Sequence, residues 1–147
     1  MNESKLKDCV VWVDADARMR LAIAILFEGH EIELVTAGDG IEAIDEIRHH
    51  RPRVVVLHRL FPRLEHYAVC AAVRADPATA DTFIVVSSAP GEPDDMSDLL
   101  VCGADMTILK PIDPELLLEI VQDVFQGRLT SMPTYTPPGR IVRYRTH

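Results

Sequence analysis

Pro52-Arg53-Val54-Val55-Val56-Leu57-His58 carries the most strand-like run in the chain: four consecutive apolar residues, entered after a proline and stopped by a histidine. An apolar run without alternation suits a strand buried on both faces, as in a parallel sheet covered by helices. Upstream, Cys9-Val10-Val11-Trp12-Val13 is a second such run, stopped by Asp14. Downstream, Phe83-Ile84-Val85-Val86 is closed by Ser87-Ser88, and Met106-Thr107-Ile108-Leu109 leads into Lys110. Glu31-Ile32-Glu33-Leu34-Val35-Thr36 alternates instead and reads as a strand nearer an edge.

Helical patterns separate these runs. Residues 17–28 place Met19, Ala22, Ile23, Ile25 and Leu26 at helical spacing ahead of Gly29. Asp39 caps a helix with Ile41, Ala43, Ile44 and Ile47 on one side. A helix from Glu65 to Ala75 presents Tyr67, Cys70, Ala71 and Val73 or Arg74, and Pro77 ends it. Pro93 to Cys102 reads as a helix with Gly103 past its end. Asp113-Pro114 caps the last helix, whose Leu116, Leu117, Ile120, Val121, Val124 and Phe125 repeat at helical spacing. Five strand–helix repeats imply an α/β fold: a five-stranded parallel sheet with helices on both faces and right-handed crossovers. Functional groups then gather at the carboxyl ends of the strands. Those ends offer Asp14, His58, Ser88 and Lys110.

Composition bounds the function. The 147 residues suit one domain, 1–126, followed by a Pro-rich, basic C-terminal tail, 127–147. The net charge of −8 is uneven: residues 1–126 carry 11 Lys+Arg and all 23 Asp+Glu, a balance of −12, whereas the tail carries Arg128, Arg140, Arg143 and Arg145 with no acid. An acidic body lacks the clustered Lys/Arg that phosphate contacts need, so no nucleic-acid partner is expected. Nor is a membrane: no apolar run approaches the roughly 20 residues of a span. The polar N-terminus does not read as a signal peptide, and the three scattered cysteines fit buried thiols in a reducing cytoplasm. No Gly-rich phosphate loop follows the first strand, and no Gly-x-Ser-x-Gly elbow surrounds Ser87-Ser88. His30, His49-His50 and Glu65-His66 lack the count and spacing of a metal site. In the tail, Ile141-Val142 and Tyr144 suit an added edge strand, a docking arm for another subunit or for the chain's own acidic surface; the plain alternative is an extended linker.

Over roughly residues 7–126 the chain resembles the receiver domain of two-component response regulators. The motifs run in order: Val13-Asp14 followed by Arg20, Ala37-Gly38-Asp39-Gly40-Ile41-Glu42-Ala43, Pro52 to Leu57 with Pro62, Arg74-Ala75-Asp76-Pro77, Ser88-Ala89, Gly103-Ala104-Asp105 and Lys110-Pro111. The resemblance implies a flavodoxin-like (βα)5 receiver fold and a crevice for phosphoryl transfer to an Asp on the third strand. In the family an acidic pair at the first strand holds Mg²⁺, and a Ser/Thr hydroxyl and a Lys grip the phosphoryl oxygens, which suits a reaction driven by positioned cations. It also implies a cis bond at Lys110-Pro111.

The chain departs from that pattern where the chemistry is decided. Counting back from Pro62 puts His58 at the phosphoacceptor position. An imidazole forms no acyl phosphate and is a poor Mg²⁺ ligand. Asp14 is the remaining acid of the pair; Ala15 replaces its neighbour, and Asp16 is out of register. Thr107 stands at the aromatic switch position, while Ser88, Lys110 and Pro111 are retained, with Asp14 left to pair with Lys110. The expectation is a stand-alone, degenerate receiver. It is not an enzyme, has no catalytic residues and no cofactor, its Mg²⁺ site is lost, and it signals through protein–protein contacts. Its partner is a histidine kinase or an output protein, or a second copy through residues 93–126 or the tail. Two alternatives stay open: a phosphorelay receiver phosphorylated by an unusual route such as His58, and a flavodoxin-like protein or enzyme binding a small ligand or metal.

Overall fold

Apolar strand runs have to be covered on both faces, and in this chain they become the middle of one sheet. The computed structural model describes residues 6–58, 63–88, 103–109, 111–130 and 143–144. Its elements are β1 (Lys7–Val13), α1 (Ala17–Glu28), β2 (Glu33–Ala37), α2 (Gly40–His50), β3 (Pro52–His58), α3 (Arg63–Ala75), β4 (Phe83–Ser88), β5 (Met106–Leu109), α4 (Pro114–Phe125) and β6 (Arg143–Tyr144). The strand order is β2-β1-β3-β4-β5-β6. β1 to β5 pair in parallel, as expected, and β6 joins the β5 edge antiparallel. The segment 93–102, read as a helix, lies outside the described residues.

Strand alternation splits the core into two layers. Val10, Trp12, Val54, Val56, Phe83, Val85, Met106 and Ile108 pack with α1 and α4. Val11, Val13, Val55, Leu57, Ile84 and Val86 pack with α2 and α3. The alternating β2 is indeed an edge strand and only partly buried.

Helix entry is set by carboxylates. Asp39 accepts a bond from the Glu42 amide at 2.8 Å while Glu42 accepts one from the Gly38 amide at 2.7 Å, a reciprocal cap on α2. Asp113 caps α4 through the Glu115 amide, with Pro114 in the first turn.

The helical faces differ from the expected ones in detail. On α1, Ile23 and Phe27 are buried, whereas Ile25 and Leu21 are each 63% exposed. On α2, Gly40, Ala43 and Ile47 are buried and Ile41 is 80% exposed, because it lies outside the stripe those three residues turn to the sheet. On α3 the buried face is Val69, Cys70 and Val73, and Ala71 is exposed.

Candidate functional site

The order β2-β1-β3 places the connections leaving β1 and β3 on opposite sides, and the crevice above such a switch point is where open α/β sheets hold their ligands. The register Val13↔Leu57 brings Asp14 and His58, the next residues of each strand, to this point from neighbouring strands. Both are buried: Asp14 is 1% exposed and His58 is 6%.

A buried carboxylate needs donors. Asp14 Oδ1 accepts the Asp16 amide at 2.9 Å, and Oδ2 faces Trp12 Nε1 at 3.4 Å. Trp12 reaches it because residues two apart on a strand share a face. The Asp14 backbone is held as well. Its amide donates to the Ala37 carbonyl at 3.0 Å, and its carbonyl accepts Arg20 Nη1 at 2.7 Å. The same guanidinium lies against Gly38, where an added Cβ would stand 3.3 Å from Nη1. Arg20 and the glycine of the β2–α2 turn thus fit together beneath the Asp14 loop.

His58 ends β3 opposite Ser87 of β4 in the register, and His58 Nδ1 lies 3.4 Å from Ser87 Oγ. Ser87 itself is fully buried. Sequence alone does not single out this hydroxyl, because Ser88 holds the motif position. Ser88 pairs with Leu109, one step farther along β4.

The remaining expected site residues fall in different places. Ala15 is exposed at the mouth and brings no polar side-chain atom. Asp16 is the N-cap of α1, its Oδ1 accepting the Arg18 amide at 2.9 Å, so its carboxylate serves the helix. Thr107 is buried within β5, between Val86 of β4 and Arg143 of β6 in the register. Pro111 is exposed, and Lys110 lies outside the described residues. Among the described residues no group of three or more His, Cys, Asp or Glu is arranged to hold a metal ion. His49 and His50 meet edge to face, and His50 faces Glu46 at 3.4 Å along the surface of α2.

The response regulator receiver domain model matches residues 10–122. The chain belongs to the response regulator receiver domain family. Receivers are the signalling domains of two-component systems rather than typical enzymes. Among curated proteins, the chain is similar to the probable transcriptional regulator ycf27 of Guillardia theta, at 33% identity over 76% of this chain and 42% of that protein. It is also similar to the DNA-binding response regulator MtrA of Mycobacterium tuberculosis, at 30% identity over 80% of this chain and 50% of that protein. Among solved structures, the Vibrio cholerae chemotaxis protein CheY4 superposes with a TM-score of 0.70 at 26% identity, covering 78% of this chain and 96% of that one. The receiver spans about half the length of the curated relatives it matches. One of those relatives is DNA-binding by name, so the expectation of no nucleic-acid partner is not carried forward; the charge balance describes residues 1–126 alone. Among the described residues no helix is long and apolar enough to cross a membrane.

One surface escaped the sequence reading. Met19, Ile23 and Leu26 of α1 face Ile112, Pro114 and Leu117 across a groove of about 330 Å³, and Leu21 and Ile25 stand in solvent on another side of the same helix. The signal was present: α1 is apolar nearly all round, with only Arg18, Arg20 and Glu28 charged. A helix of that kind normally lies under cover.

Proposed function

We propose that this receiver is degenerate: it transmits a signal by protein–protein contact and is not phosphorylated on an aspartate of β3. The observation that carries the reading is His58, a buried imidazole at the end of β3 beside Ser87, where the family motif has its acceptor carboxylate. The donor set does not fit Mg²⁺. Mg²⁺ favours carboxylate and water oxygens in an octahedron. Here Asp14 supplies one carboxylate, Ala15 none, and Asp16 is engaged with the first turn of α1. We therefore derive no step through a bound metal. Receiver domains interact with histidine kinases and output proteins, and the exposed apolar residues of α1 and its groove support a partner of that protein class.

Incubation with a small phosphodonor and millimolar Mg²⁺, followed by intact-mass measurement, tests the reading. The expected result is an unmodified mass. A stoichiometric phosphate adduct overturns it, and the stability of that adduct in acid and base separates an acyl phosphate from a phosphohistidine at His58.

A further inference from the structure

β5 would be the terminal strand of the sheet but for β6, which pairs with it through Met106↔Tyr144 and Thr107↔Arg143. A terminal strand presents unpaired N–H and C=O groups to any chain able to add to it. β5 is Met-Thr-Ile-Leu, without a charge to repel such pairing. The stretch of sequence around β6 has a different character. Arg140, Arg143 and Arg145 flank Val142 and Tyr144, and they belong to a basic stretch attached to a strongly acidic body. Pro133, Pro137 and Pro138 precede them and cannot donate to a ladder. The other end of the connection is anchored. Leu129 is buried in the α1–α4 core layer, and its amide and that of Arg128 bond the Asp123 carbonyl at 3.1 and 2.8 Å.

We propose that the outer edge of β5 is a strand-docking site, that β6 is its built-in occupant, and that this occupant masks the edge from a second copy of the chain. A two-residue pairing belongs to the weakly held end of a protein's structure. It persists because the link from Leu129 makes docking intramolecular, at an effective concentration in the millimolar range. With the occupant displaced, two β5 edges pair antiparallel about a twofold axis, joining two sheets into one.

Sedimentation velocity of three proteins at about 100 µM, well below the millimolar effective concentration of a short link, tests this. They are the full chain, a variant ending at Thr130, and the full-length double variant Arg143→Pro/Tyr144→Pro, which retains the segment but cannot extend the ladder. The full chain is expected to be monomeric, and both variants are expected to reach twice its mass. Adding a peptide of residues 139–147 at millimolar concentration is expected to return the shortened variant to monomer. Monomeric variants overturn the proposal, as does a dimeric full chain or association that the peptide leaves unchanged. The proline variant keeps the test decisive should the shortened chain fail to fold.

Discussion

The imidazole Nδ1 of His58 lies 3.4 Å from the Ser87 hydroxyl, across the β3–β4 pair that holds these two residues in register. Next to them Asp14 is the one carboxylate at the β1 end that is not committed to a helix cap. If these substitutions are what remove the metal, restoring two carboxylates restores the response. Millimolar Mg²⁺ is expected to leave the wild-type melting temperature unchanged and to raise that of Ala15→Asp/His58→Asp by several degrees. A ligand present at 100 times its Kd adds about 2.7 kcal/mol to the native state. Thermal melts in Mg²⁺ and in chelator make the comparison. A double variant indifferent to Mg²⁺ would show that the donor set is not what separates this pocket from a metal site.

Asp16 gives a second, independent check, because cap and ligand roles make different demands. The N-cap needs an oxygen that accepts the Arg18 amide, and serine supplies one as well as aspartate. Asp16→Ser is therefore expected to unfold at nearly the wild-type urea midpoint, and Asp16→Ala to lose about 1 kcal/mol. Equal losses in the two variants would assign the carboxylate a role beyond the cap.

The features of this fold that are legible in the sequence are the local ones. Val54 to Leu57 and Phe83 to Val86 announce buried strands by composition, and Asp39 and Asp113 announce helix entries by their own hydrogen-bonding chemistry. Ser87 is different. Choosing it over Ser88 as the neighbour of His58 requires the β3–β4 register, and a one-residue slip exchanges the two. Asp16 illustrates a further ambiguity: an acid just past a strand end suits a metal or a cap equally, and only the backbone path into α1 decides. Ile25 and Ile41 have core-like spacing yet stand in solvent, since spacing alone does not say how wide a stripe the sheet covers. The added edge strand read in the tail from its apolar and aromatic residues is found at Arg143–Tyr144, but which edge it joins and in which direction are set by the sheet and not by two residues of sequence.

Cys9 makes stability depend on pH in a predictable direction. Burial, reinforced by Glu33 and Asp8, pushes its thiol from 9.0 up to about 11. The folded state therefore favours the protonated thiol, and the unfolded chain releases the proton first. This contribution is fully present below pH 9 and is lost as pH rises toward 11. Urea midpoints at pH 8 and pH 10 are expected to fall farther for the wild type than for Cys9→Ala, in which the group is missing. Parallel slopes would remove Cys9 as the cause. The same protonation predicts slow reaction of the native Cys9 with thiol reagents at neutral pH.

Arg74 ties three segments at the end of the sheet opposite the site. Its Nη1 donates to the Ala80 and Thr82 carbonyls at 2.8 and 2.6 Å, and Nε and Nη2 donate to the Gly103 carbonyl at 3.1 and 2.7 Å. Nη2 also meets Asp105 Oδ2 at 2.7 Å, and that oxygen accepts the Ile84 amide at 2.9 Å. Asp105 is fully buried. Gly103 holds its carbonyl there at a φ of 90°, a backbone angle that favours glycine. Removing one partner of such a pair strands a buried charge, at a typical cost of about 3–5 kcal/mol. Arg74→Ala is expected to lose that much in urea unfolding. Arg74→Lys is expected to recover little of it, since one ammonium has three donors and no planar fork to serve carbonyls on two sides. Arg74→Ala/Asp105→Asn is expected to be less destabilised than the sum of its single variants, because the second change removes the stranded charge. Strict additivity would mean that the guanidinium acts through the loop carbonyls alone and that its contact with Asp105 adds nothing.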